Sequence, residues 1–123
     1  MKLQLDRTDG SNQITSCGAD FVAVNGVRHE ASLIVTPERV DPDWPVPDLA
    51  SLGAEHLSAL LASKPEIVLL GTGRRLKFPP FSVLRPLIEA GIGYEIMDTG
   101  AACRTYAVLI AERRRVLAAL IVG

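Results

Sequence analysis

The chain is 123 residues long and 48% hydrophobic, enough for one core and for a single domain over 1–123. A formal net charge of -1 and a pI near 6.1 exclude a globally basic protein built for nucleic acid or an anionic membrane. The charge is uneven, with five basic and ten acidic groups over 1–70 against eight and four over 71–123. It reads as an ordinary solvated surface or as a docking patch for a charged partner.

Met1 to Asp6 lacks the apolar centre of a secretory signal and the Arg-rich amphipathic character of a transit peptide. The longest clean apolar run, Val116 to Val122, is seven residues, too short to span a bilayer. A soluble, cytoplasmic protein without membrane insertion is therefore expected. Cys17 and Cys103, far apart in such a chain, are expected to be free thiols. No CxxC or Cys/His cluster suggests a metal, and none is expected.

Taken in chain order, Phe21 to Val24, Asn25-Gly26 and Val27 onward predict a β-hairpin, because both central positions of a type I′ turn need the positive φ that Asn and Gly tolerate. Its return arm is expected to run through Arg28, His29 and Glu30 into Ser32-Leu33-Ile34-Val35, leaving an exposed edge and entering the core until Pro37 ends it. Pro37, Pro42, Pro45 and Pro47 then interleave with Glu38, Asp41, Asp43 and Asp48 around the only tryptophan, Trp44. That density of proline excludes helix and central strand. The loop either pins Trp44 over the core or offers Trp44, Asp41 and Asp43 to a protein partner.

Leu57, Leu60 and Leu61 share a helical face between Gly53 and Ala62, and Lys64-Pro65 closes that helix. Ile67 to Leu70, bounded by Pro65 and Gly71, suits a strand buried on both faces, with Gly71-Thr72-Gly73 as the turn beyond it. A second helix is expected from Ser82 as N-cap, with Val83, Leu84, Leu87 and Ile88 inward and Gly91 as its stop; Pro86 argues against a much earlier start. Tyr94 to Met97 is the next strand. A third helix from Gly100 to Arg113 presents Ala102, Tyr106, Leu109 and Ile110 on one face, and Val116 to Val122 is a closing strand. The alternation predicts an α/β fold with an N-terminal hairpin, about three helices and right-handed crossovers between parallel strands.

The strings MDTGAACRTYAVL at 97–109, LLGTG at 69–73, FPP at 78–80 and VTPERV at 35–40 resemble, in order and spacing, one family of small proteins. It includes the mitochondrial respiratory complex I assembly factor 3, a vertebrate adipogenesis-associated protein and many bacterial and archaeal proteins. The resemblance implies a compact three-layer α/β domain around a mixed central sheet, no established cofactor or catalytic residue, and assembly work done by binding other proteins. Bacterial relatives carry Asn after Thr-Tyr, where this chain has Ala107; if that Asn makes a polar contact at a site, this chain lacks it.

Several residues have both a structural and a functional reading. Gly71-Thr72-Gly73 followed by Arg74, Arg75 and Lys77 is either an anion cradle or a tight strand exit with solvated charges, and neither GxGxxG nor GxxxxGK[ST] is present. Asp98-Thr99-Gly100 caps the third helix by default. If the strands ending at Leu70 and Met97 are parallel neighbours, the two turns form one crevice at the carboxyl edge of the sheet. Cys103, placed in the first helical turn beside Arg104, is either an activated thiol or a small buried side chain. His29 and His56 are the only imidazoles and have no reason to meet Cys103, so a Cys/His nucleophile pair is not expected. Arg113-Arg114-Arg115 matches the negative pole of a helix end. The expectation is a non-catalytic, cofactor-free accessory protein that binds other proteins. The alternative is a small-anion or small-molecule binder, or a cryptic enzyme, using Gly71 to Arg74 and Asp98 to Arg104.

Overall fold

Two sheets carry the fold, and the computed structural model describes residues 10–123. The reading of Met1 to Asp6 lies outside that range. The first sheet is an antiparallel meander of β1 (Ile14–Gly18), β2 (Phe21–Val24) and β3 (Val27–His29). Asn25 and Gly26, at φ 53° and 83°, make the expected tight turn between β2 and β3. β1 was not expected from sequence: as a half-exposed edge strand it reads Ile-Thr-Ser-Cys-Gly, without the apolar alternation that announces a strand.

The second sheet runs in the order β5-β4-β8-β6-β7, built from β4 (Leu33–Val35), β5 (Val40–Asp41), β6 (Ile67–Gly71), β7 (Gly93–Met97) and β8 (Val116–Leu120). β6 is parallel to both β7 and β8, whereas β4 is antiparallel to β8 and to β5. The sheet is therefore mixed. The continuous return arm expected from Val27 to Val35 is corrected, because the chain leaves the meander after His29 and begins β4 in the other sheet at Leu33. Its polar first half belongs to an exposed edge and its apolar second half to the core, and one straight strand cannot serve both.

Three layers follow from alternation along the strands. Leu117, Ala119 and Ile121 face one side of the large sheet together with Val68, Leu70 and Ile34; there they meet Leu57 and Leu60 of α1 (Ala54–Leu60) and Leu84 and Leu87 of α2 (Phe81–Glu89). Val116, Ala118 and Leu120 face the other side with Leu69, Leu33 and Val35, against Ala102, Tyr106 and Ile110 of α3 (Thr99–Ala111) and Val22 and Val24 of the meander. A strand buried on both faces is apolar at every position, which is why β6 and β8 read as unbroken runs.

The helix ends have local causes. α2 begins at Phe81 with Pro80 at the N-cap, so Ser82 is not the cap, and Ile88 is 46% exposed rather than inward. Its stop at Gly91 is as expected: Gly91 N–H donates to Ile88 O and Ile92 N–H to Leu87 O, a Schellman closure. His56 has a structural role, its Nδ1 accepting the Gly53 N–H at 2.8 Å at the start of α1 while its ring stands edge-on to Trp44. Trp44 is buried in the core beneath the proline-rich loop, and this loop adds only the two-residue edge strand β5. The three arginines lie past α3. Arg114 pairs with Glu66 at 2.7 Å, and the Glu66 carboxyl also accepts the Arg115 N–H. These hydrogen bonds, that from the Arg115 backbone foremost, hold the Glu66 carboxyl below its usual range.

α3 closes in the same Schellman pattern as α2, with Arg113 N–H on Ile110 O and Arg114 N–H on Leu109 O, yet its left-handed residue is Arg113 at φ 60°. A side chain in that region is strained. Arg113→Gly is expected to stabilise the protein by about 0.5–1 kcal/mol, the relief being partly offset by glycine's greater freedom in the unfolded chain. A urea midpoint raised at unchanged slope would show it; an unchanged or lowered midpoint would contradict the strain argument.

Candidate functional site

The parallel pairing of β6 with β7 brings the two glycine-bearing turns to one rim. Thr72 N–H donates to Met97 O at 2.9 Å, and Thr99 N–H donates to Gly73 O at 2.9 Å. The Thr99 hydroxyl accepts the Gly73 N–H at 2.9 Å and donates to Ile121 O at 2.6 Å, joining the exits of three strands through one buried side chain. Gly71 permits this approach: a Cβ there would stand 2.9 Å from Thr99 Oγ1 and 3.0 Å from Thr99 Cα, too close to Thr99's backbone to be tolerated without a shift.

A crevice of about 400 Å³ opens at this rim. Gly73, Arg74, Asp98, Thr99 and Gly100 line one wall; Cys17 to Ala19 and Phe21 of the meander line the other, with Ile121 to Gly123 between them. Five of the nine residues expected in a ligand site thus share a hollow. Gly71 is packed beneath it. The Thr72 hydroxyl is occupied by Arg75 O at 2.6 Å and faces a separate depression with Arg75 and Lys77. Cys103 and Arg104 line an adjoining groove of about 330 Å³ with Ile14 to Cys17, Gly100 and Ala107. Cys17 lines both hollows, and sequence reading had no means of including it, since β1 itself was unexpected.

The electrostatics of the rim weigh against an anion cradle. Asp98 is the N-cap of α3, its Oδ1 accepting the Ala101 N–H at 2.9 Å, so a carboxylate already occupies the position where a helix N-terminus would receive an anion. Arg74 donates through Nε to Ala19 O at 3.3 Å and links the two walls.

One expectation about Cys103 is corrected: it is the fifth residue of α3 and not in the first turn, hence beyond the free N–H groups. Of its two readings, the structure has the small buried side chain. Burial first, then the hydrogen bond to Cys17, push its thiol up, so it is not an activated thiolate. Both cysteines are free thiols, as expected, and although far apart in sequence they meet in space, Cys103 Sγ lying 3.2 Å from Cys17 Sγ. Of the residues expected to meet a partner, Asp43 is exposed and Asp41 pairs with Arg39 at 2.9 Å, whereas Trp44 serves the core and its ring is not on the surface.

The Thr99 bridge can be tested directly. Thr99→Val removes the hydroxyl and strands a buried N–H and a carbonyl, and is expected to cost about 2–3 kcal/mol in urea unfolding. Thr99→Ser keeps both hydrogen bonds and is expected to cost about 1 kcal/mol or less. Equal costs for the two variants would assign the residue's importance to its methyl group instead.

The family model described as "Protein of unknown function (DUF498/DUF598)" matches residues 14–121. The chain is 37% identical over 71 residues to the 13 kDa major membrane protein of Francisella tularensis subsp. holarctica, covering 58% of each protein. It is 32% identical over 100 residues to the NADH dehydrogenase (ubiquinone) 1 alpha subcomplex assembly factor 3 of Xenopus tropicalis, covering 80% of this chain and 54% of the frog protein. The matches thus span little more than half the length of these two relatives. Among solved structures, a Bordetella parapertussis protein superposes with a TM-score of 0.84 at 41% identity, covering 92% of this chain and 97% of the other. Sequence and fold agree, and the chain belongs to the DUF498/DUF598 family of proteins of unknown function.

Proposed function

We propose that the protein is a non-catalytic, single-domain accessory protein of the cytoplasm that binds other proteins during assembly of a respiratory or membrane complex. The observation that carries this reading is the segment leaving the rim. Leu76, Phe78 and Phe81 are 51%, 69% and 75% exposed, interleaved with the exposed cations Arg74, Arg75 and Lys77. Ile88 and Arg85 extend the patch along α2, on the same face as Phe81. Large aromatic side chains left in water beside guanidinium groups are the usual anchors of a protein interface, and the cations favour an acidic partner segment with apolar side chains of its own. Among the described residues no helix is long and apolar enough to cross a membrane. The frog relative's name supports an assembly role, and the Francisella relative's name supports work close to a membrane.

Photo-crosslinking in the native cell tests this reading. A benzophenone amino acid at Phe78 or Phe81 is expected to trap one and the same protein from both positions, and Arg74→Glu with Arg75→Glu is expected to abolish the adduct. Val27, exposed on the meander, serves as the control position. No adduct, or the same adduct from Val27, would overturn the proposal.

The crevice supports a second reading, a small-molecule site, with the Asp98 carboxylate selecting against anions. Titration with inorganic phosphate, followed by amide NMR, is expected to leave Gly73 and Gly100 unmoved. Saturable shifts at both would restore the anion cradle.

A further inference from the structure

We propose that Cys17 and Cys103 are a reversible redox pair, closed to an intramolecular disulfide by exchange with a low-molecular-weight disulfide that enters through the groove on which Cys17 opens beside Arg104. The sulfur atoms are 3.2 Å apart, with the Cys103 thiol donating to Cys17, although 86 positions separate the residues in sequence. A disulfide needs about 2.05 Å between its sulfurs. Rotation of the two side chains and a small approach of β1 to α3, which already pack against each other, bring about that closure.

The two thiols divide the work by their position. Cys17 is half-buried and lines both the 400 Å³ crevice and the 330 Å³ groove; Cys103 is 5% exposed behind it. The first attack therefore falls to Cys17. Its thiolate displaces one thiolate from the incoming disulfide and forms a mixed disulfide. The Cys103 thiol then loses its proton and attacks the Cys17 sulfur, expelling the second thiolate. Two protein thiols and one disulfide become one protein disulfide and two small thiols, and the oxidant is the disulfide itself. The groove suits an oxidant of the glutathione class, because Arg104 on its wall complements the carboxylates of such a molecule.

Closure has a structural consequence. Among the described residues the meander is a separate sheet and shares no ladder with the five-stranded one. A covalent link from β1 to α3 fastens the far wall of the crevice to the helix whose N-terminus forms the near wall. Oxidation is thus expected to fix the width of the crevice and to raise the thermal midpoint on the order of 10 °C.

The experiment uses the full chain, reduced and then incubated with oxidised glutathione. Wild type is expected to lose both thiols and two hydrogens in mass, with the Cys17 and Cys103 peptides joined, and to regain both thiols in dithiothreitol. Cys103→Ser should stop at one glutathionyl group on Cys17, whereas Cys17→Ser should react at least tenfold more slowly than wild type. Retention of both thiols, a bridge between two chains, or equal rates for Cys17→Ser and wild type would overturn the proposal.

Discussion

The Thr99 hydroxyl is the point through which the sheet, the third helix and the crevice are held in register. It sits where β7 turns into α3, and it accepts from the exit of β6 while donating to the end of β8. Three parallel strands that end at one rim leave backbone groups with no ladder partner, and an unpaired buried N–H or carbonyl costs as much as a lost hydrogen bond. One side chain at the crossing of three chains satisfies two of them. Gly71 beneath it has no Cβ because the hydroxyl and the Thr99 backbone fill that space.

Once these exits are tied, the remaining architecture has little freedom. β8 is buried on both faces, so its alternate residues commit to α1 and α2 on one side and to α3 and the meander on the other. The meander joins the rest of the molecule by packing and by a few polar ties. Tyr106 donates its hydroxyl to Asn12 O at 2.9 Å, Arg74 reaches Ala19 O, and Cys17 meets Cys103. The crevice is the seam that these ties leave open. It is a boundary between two sheets as much as a switch point within one, and this is why a thiol from β1 stands in its wall.

The same rim directs the chain outward. Beyond Gly73 the polypeptide leaves the sheet and carries cations and bare aromatic rings past Pro79 and Pro80 into α2. Proline cannot continue a ladder, so the segment stays on the surface, where its apolar side chains face water. Phe78 and Phe81 are the most exposed large apolar side chains among the described residues.

The order of elements in the second half, the α/β class and the Asn25-Gly26 turn were legible in the residues, because each rests on local chemistry: apolar runs, proline breaks, positive φ and short links. The adjacency of the two glycine turns was legible only as a condition on parallel strands, which the pairing of β6 with β7 meets. Family membership was legible in MDTGAACRTYAVL and its companion strings. β1 was not, because Thr15 and Ser16 are exposed polar residues on an edge strand and leave no apolar rhythm. The start of α2 was misplaced because proline is well suited to a helix start and Ser82 merely resembles a cap. The division into two sheets, the burial of Trp44 and the approach of Cys17 to Cys103 were decided by tertiary structure alone. They depend on which surfaces meet after the chain has closed over many residues, and no spacing within a single element encodes a contact between partners so distant in sequence.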